Sequence, residues 1–400
     1  MPKCTSLAFV SAGSALLCFA APAMGQGVIS GNEFNPAISL ILDGQFSRYS
    51  NDAEDYEISG FALDEEAGLT AEGFSLDESE LNISANVDDW FYGFADIVFE
   101  DDENETEVEL EEIYFESLAL PAGWTIKGGK FLSAVGYHNA FHPHSWDFAD
   151  EPLAYRAMVA GAFTDVGAQA RWIAPTGIFL QFGAEGFRGA AYPASGSAND
   201  GAGAWSVFAK LGGDLGQSHS WKAGVSLLSY KADGWDTDLD GGSLSLDGDG
   251  DLVVAELVWK WAPDGNARNR NFKFQAEYLH RSENGDTTLE IPGVSSQGEY
   301  DIEQDGLYVQ AVYQWRRGWR TGLRYDWLSA DNDLDDLGVA TPFDSDDRDP
   351  ERMTAMIDYA HTEYSRLRFQ VSRDDSSDNS DTQVLLQYQL SLGPHGAHQF

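Results

Sequence analysis

Three of the eight histidines in the chain fall within Gly136–Asp150, GYHNAFHPHSWDFAD. His138, His142 and His144 are followed closely by Asp147 and Asp150. Imidazole is a common ligand of zinc and other borderline metals. In an extended segment residues i and i+2 point the same way, so His142 and His144, on either side of Pro143, can converge on one ion. His138 or Asp147 could complete a tetrahedral set. The same rings can instead hold a loop in place through hydrogen bonds, or work with Asp147 beside His144 in a catalytic pair. No serine elbow or comparable nucleophile motif accompanies them, so the chain is not read as an enzyme. His395 and His398 form a second group, read as a surface tail. A separate run, DTDLDGGSLSLD at 236–247, places Asp236, Asp238, Asp240 and Asp247 at the acidic positions of a calcium-loop pattern, with Gly241 at the turn. No helical pattern flanks it. Weak calcium or magnesium binding, or divalent ions shared with lipopolysaccharide, are both open to such a loop. Nothing in the pattern requires a cofactor.

The elements that position these residues follow from the rest of the chain. Lys3, the apolar run Leu7–Ala20 and Ala21-Pro22-Ala23 read as a signal peptide over 1–23, leaving 24–400 as one mature domain. Both cysteines, Cys4 and Cys18, lie in that leader, which excludes disulfides and thiolate chemistry from the mature part. Beyond the leader no apolar run approaches the roughly 18 residues of a membrane helix. A formal net charge of -42 speaks against nucleic acid as a partner, because phosphate binding needs basic surface. The same acidity also fits a solubility device or a saline habitat.

Period-two alternation runs through the mature chain. Val384, Leu386, Tyr388, Leu390 and Leu392 alternate with Gln383, Gln387, Gln389 and Ser391; Leu307–Trp315 and Trp319–Trp327 repeat the pattern. About sixteen such segments, from 37–49 to 382–393, are each near the length that crosses a bilayer as a tilted strand. Apolar faces end in aromatics such as Trp124, Trp172, Trp259, Trp315 and Trp319, as at a membrane interface. Short turns (LPAG, APTG, RRG) alternate with long connections at 50–77, 133–161, 189–202, 232–250, 284–304 and 331–351. The expectation is an all-β, transmembrane, antiparallel up-and-down barrel of about sixteen strands in the outer membrane, touching lipid and lipopolysaccharide. The terminal Phe400 fits such a barrel.

Over its mature length the chain resembles Gram-negative outer-membrane porins of the sixteen-stranded, phosphate-selective type. More narrowly, NPAISLILDGQFSRYS (35–50), HPHSWDFAD (142–150) and HGAHQF (395–400) resemble porin-like proteins called zinc-regulated outer-membrane receptors, sometimes TonB-dependent receptors. The chain has no room for the plug domain and about 22 strands of the latter. The resemblance implies a channel for passive diffusion of small solutes or ions, cation or zinc related, with a metal-binding receptor or dedicated zinc-uptake pore as the alternative. It also implies a homotrimer and a third outer loop, 133–161, folded into the lumen. Asp147, Asp150 and Glu151 would then face arginines across a constriction, and Tyr137, Phe141, Trp146 and Phe148 would anchor the loop. Parity supplies the wall. Glu80, Asp96, Glu100, Glu107, Glu109 and Glu111 line one side, where no Lys or Arg occurs between Arg48 and Lys127. Arg316, Arg320, Arg324, Arg366 and Arg368 line the other, with Lys127, Arg171, Lys273 and Arg281 also of lumen parity. Opposed charge of this kind makes a transverse field.

Overall fold

Most strands bury one parity of side chains and expose the other, and over most of the wall the buried parity is the polar one. In β1 (Ala37–Arg48) the inward Ser39, Asp43, Gln45 and Ser47 are buried while Ile38 and Leu42 are exposed. Further along, Leu323 and Met353 are 67% and 65% exposed beside the fully buried Arg324 and Arg352. This inverted pattern suits a protein with lipid outside and polar groups within.

The computed structural model describes residues 36–64, 67–102, 105–194, 201–239, 242–335, 339, 341–345 and 348–393. The expected signal peptide, His395, His398, Phe400, Asp240 and Gly241 lie outside these residues. After β1 come β2 (Gly73–Leu76), β3 (Ser79–Asn86), β4 (Phe91–Asp102), β5 (Glu105–Ser117) and β6 (Trp124–Leu132). The helix α1 (Leu153–Val159) precedes β7 (Thr164–Ile173), β8 (Phe179–Phe187), β9 (Ala204–Leu215), β10 (His219–Leu239) and β11 (Gly242–Trp261). The wall continues through β12 (Asn271–Ile291), β13 (Val294–Arg316), β14 (Trp319–Leu334), β15 (Glu351–Thr362), β16 (Ser365–Asp375) and β17 (Asp381–Leu392). Neighbours pair antiparallel, and β17 returns to β1 in the register Leu40↔Leu392 to Arg48↔Val384. β2 and β3 are two pieces of one wall strand, both paired to β1, and the Ser79 hydroxyl accepts the Asp43 N–H at the break. The result is a closed, antiparallel sixteen-stranded barrel. Closure gives every wall strand a paired neighbour on each side, as a bilayer demands. Trp124–Trp172 and Trp315–Trp319–Tyr359 contacts cluster beside the short turns, as the aromatic pattern led one to expect.

Two expected long loops are corrected. Residues 232–250 and 284–304 are mostly continued strand: β10 and β11 pair out to Leu239↔Gly242, and β12 and β13 to Ile291↔Val294. At 20–23 residues these strands far outrun the roughly 9–11 that span a bilayer. Above the lipid their polarity reverses. Trp235, Leu244, Leu246, Leu289, Tyr300 and Ile302 now face inward, packed with Ala62, Tyr192 and Phe343 of the loops, and acids face out.

The loop between β6 and β7 enters the barrel because β6 stops short. β5 runs on past the end of β6, so the chain leaves the wall at Leu132 within the height of its neighbour. Glu185 of β8 captures the Ser133 hydroxyl at 2.6 Å and the Ala134 N–H at 3.0 Å. The buried Asn139 ties the neck, donating to Ser133 O and Phe163 O and accepting the Phe163 N–H. All seven residues of α1 are buried. The helix lies on β13 and β14, where Gly306 leaves room: a Cβ there would sit 2.7 Å from that of Ala154.

Candidate functional site: the loop across the barrel

Residues 133–163 cross the lumen and touch opposite walls. On the acidic side, His142 Nε2 lies 2.9 Å from Glu112 Oε2, and its Nδ1 lies 3.0 Å from Glu111 Oε2 and 3.4 Å from Asp96 Oδ2. His144 Nδ1 is 2.5 Å from Glu80, and its ring stacks on that of His142 with centroids 5.9 Å apart. Burial alone would lower the pKa of His142, but the carboxylates of Glu111 and Glu112 outweigh it and hold the ring protonated well above its usual range.

The basic side carries the complement. Asp147 pairs with Lys273 and Arg320, both at 2.9 Å, and Arg320 also pairs with Asp358. Asp150 lies 2.7 Å from Arg324, 3.1 Å from Arg352 and accepts from Gln370 at 2.7 Å. Arg366 donates to His144 O and Arg368 to Trp146 O, so the arginines also grip the loop's backbone. Burial would raise both loop carboxyls, but Lys273 and Arg320 at Asp147, and Arg324 and Arg352 at Asp150, hold them well below the ordinary range. Between the two sides Glu277 accepts the N–H groups of Tyr137 and His138 and the hydroxyls of Tyr155 and Tyr308. Gly136 takes φ +75° here, and a Cβ would sit 2.1 Å from the Tyr155 hydroxyl. Phe148 seats between Val312 and Met356.

The loop thus presents imidazoles to the acidic wall and carboxylates to the basic wall. Of the expected constriction residues, Asp147 and Asp150 do face basic groups. Glu151 instead pairs with Arg156 of the loop itself, while its carbonyl accepts from Arg352. His138 is corrected as a partner of the other two histidines. It sits against Trp146, Tyr155 and Tyr308, and burial lowers its pKa well below normal, with Arg324 and Lys273 adding to the effect. Asp147, occupied by Lys273 and Arg320, is likewise no partner of His144.

The wall residues divide. Arg320, Arg324, Arg366 and Arg368 do face inward, but Arg324 and Arg368 are fully buried against the loop and Gln387 rather than lining water. Arg316 is exposed at the turn beyond the ladder. Glu107 and Glu109 are exposed above the loop, Glu109 paired with Lys130 at 2.6 Å. A bulge opposite Asp96/Ile97 turns Glu111 and Glu112 inward together, which strict alternation forbids. Glu112 was therefore missed. Arg352, Asp358, Asp326 and Glu277 were also missed, although parity on β12, β14 and β15 could have found them. Asp236 and Asp247 stand on the paired strands β10 and β11, accepting from Ser245 and from the Gly234 N–H respectively; Asp238 is also on β10.

No known protein-family model matches the chain. An uncharacterized protein of Aquifex aeolicus (strain VF5) is 29% identical over 92% of this chain and 80% of its own length. Among solved structures, the outer membrane channel DcaP of Acinetobacter baumannii is similar with a TM-score of 0.53 and 14% identity, over 89% of this chain and 97% of that one. The anion-selective porin of Comamonas acidovorans gives 0.52 and 10%, over 89% and 99%. In-vitro folded OmpT of Vibrio cholerae, in a trimer form, gives 0.51 and 10%, over 89% and 99%. At these identities the likeness is one of fold, and the fold is that of outer-membrane barrels.

Proposed function

We propose that the protein is a porin-like channel of the outer membrane through which small solutes or ions diffuse passively, with the crossing loop as its selectivity element. The observation that carries this reading is the loop's double tether, His142 and His144 to an acidic wall and Asp147 and Asp150 to a basic one. A solute passing between loop and wall meets charge of both signs at close range, which orders dipoles and filters ions. The acidic outer hairpins would meet lipopolysaccharide through shared divalent ions, and a homotrimer is the assembly to look for, since a similar barrel has a trimer form. An enzyme is the weaker reading, because His144 and Asp147 are held by different walls.

The test is single-channel recording of the refolded chain in a planar bilayer. Discrete ohmic steps are expected. A protein that inserts and never conducts would remove the reading. A second reading, a pore or receptor that responds to a transition metal, is favoured by the imidazole and carboxylates gathered at His142. Conductance altered by micromolar zinc would support it.

A further inference from the structure

The acidic side holds more than the tether of the loop requires. Asp96 is fully buried on β4, and no N–H or hydroxyl of a described residue donates to its carboxylate, which has the Glu80 carboxyl as its close neighbour. A buried carboxylate without donors is costly, because its lost hydration is not replaced. Its nearest cation, His142 Nδ1 at 3.4 Å, stands closer to Glu111 at 3.0 Å. Glu80, also fully buried, completes a cluster in which Glu80, Asp96 and His142 each offer a donor atom, all within 4.8 Å of one another.

We propose that Glu80, Asp96 and His142 bind one divalent transition-metal ion, with Glu111 as the fourth donor. Bonds of about 2.0 Å in a tetrahedron put the donors about 3.3 Å apart. The separations from Nδ1, 3.4 Å to Asp96 and 3.0 Å to Glu111, are already of that size. The outer contacts are in place as well. Glu112 holds His142 Nε2 and so aims Nδ1 at the cluster, the usual orientation of a metal-bound imidazole. Asn82 and His144 hold Glu80. One imidazole among carboxylates suits zinc, manganese or cobalt better than calcium, which takes six to eight oxygens. Nδ1 binds without its proton, so the ion takes that proton's place and the proton passes to the buffer. The ion would lock the loop to β3–β5 and leave the basic side unchanged. Unlike the set read from sequence, this one uses one histidine ligand and excludes His138. It does not depend on whether the barrel conducts.

The experiment is calorimetric titration of zinc chloride into the full refolded chain in detergent, after chelator treatment and dialysis. One saturable zinc per chain is expected, with affinity falling by about 100-fold or more in Asp96→Asn, since even outer contacts of metal ligands are worth 10–100-fold. No N–H or hydroxyl of a described residue donates to Asp96, so this variant should keep the wild-type heat-modifiable migration. Absence of saturable binding would overturn the proposal. So would Asp96→Asn binding like wild type, or binding that vanishes instead in Asp236→Asn/Asp247→Asn on the outer hairpin. If Asp96→Asn fails to fold, cobalt in the wild-type barrel decides. An intense four-coordinate visible spectrum displaced by equimolar zinc supports the site, and a weak six-coordinate one overturns it.

Discussion

Asp150 is the residue on which the basic half of the tether turns. Its carboxylate meets Arg324 and Arg352, both fully buried, and Gln370. Asp150→Asn keeps the shape and removes the charge, leaving two guanidiniums in the interior with Asp326 as their shared counter-ion. Removing one partner of a buried pair costs about 3–5 kcal/mol. The loop, not the sixteen-strand ladder, should give way. The variant should keep heat-modifiable migration but show larger or noisier conductance steps, and unchanged steps would mean that Asp150 does not hold the loop. The same tether fixes a pH response. Asp147 and Asp150 have folded pKa values below the unfolded value of about 3.9. Their contribution is therefore complete above that value and is lost as pH falls through the folded values. Conductance should be steady from pH 7 to about 5 and become noisy below about 4. A transition on the alkaline side of neutrality instead would assign the response to His142, whose ring is held protonated well above its usual range.

At the scale of elements, α1 is held by fit. Gly306 of β13 lies under Ala154, with Leu328 and Met158 at its sides. Gly306→Val puts branched carbons where a single Cβ already meets Ala154 at 2.7 Å, and overpacking of this kind costs about 1–3 kcal/mol. The expected result is greater protease sensitivity at 153–161 with the barrel intact; wild-type resistance would show that the helix can shift. The element pattern also shows what could be read in the sequence. The sixteen wall strands were legible because lipid outside and polar groups inside give every strand the same period-two signal. The upper halves of β10–β13 were not, because there the outer face is acidic and the inner face apolar, and the reversal within one strand breaks the signal into what reads as loop. The inward third loop and the Asp147 and Asp150 contacts came from resemblance rather than from pattern. Glu112 was hidden by one bulged residue. His138 was grouped with His142 and His144 by proximity in sequence, but the turn at His138–Ala140 carries its ring to Tyr155 and Tyr308 on the far side of the loop.

For the whole molecule, the issue in the proposed channel is which charge a passing ion feels. The chain carries 66 acidic against 24 basic residues, yet the basic wall is largely neutralised by the loop and by Asp326 and Asp358. Outward acids on the long hairpins, among them Asp249, Asp301 and Glu303, are exposed, with only solvent-facing partners such as Lys231, 3.9 Å from Asp249, and His280, 3.3 Å from Glu303. Their field at the entrance should concentrate cations. Screening then sets the size of the effect, because the Debye length falls from about 10 Å at 0.1 M salt to about 3 Å at 1 M. Reversal potentials in potassium chloride gradients should show cation preference at low salt that weakens as salt rises. Neutralising Asp249, Asp301 and Glu303 together should flatten that dependence without changing conductance at 1 M. Anion preference at low salt would place control of selectivity at Arg320 and Arg366, the part-exposed basic groups beside the loop, and the outer hairpins would then have no part in permeation.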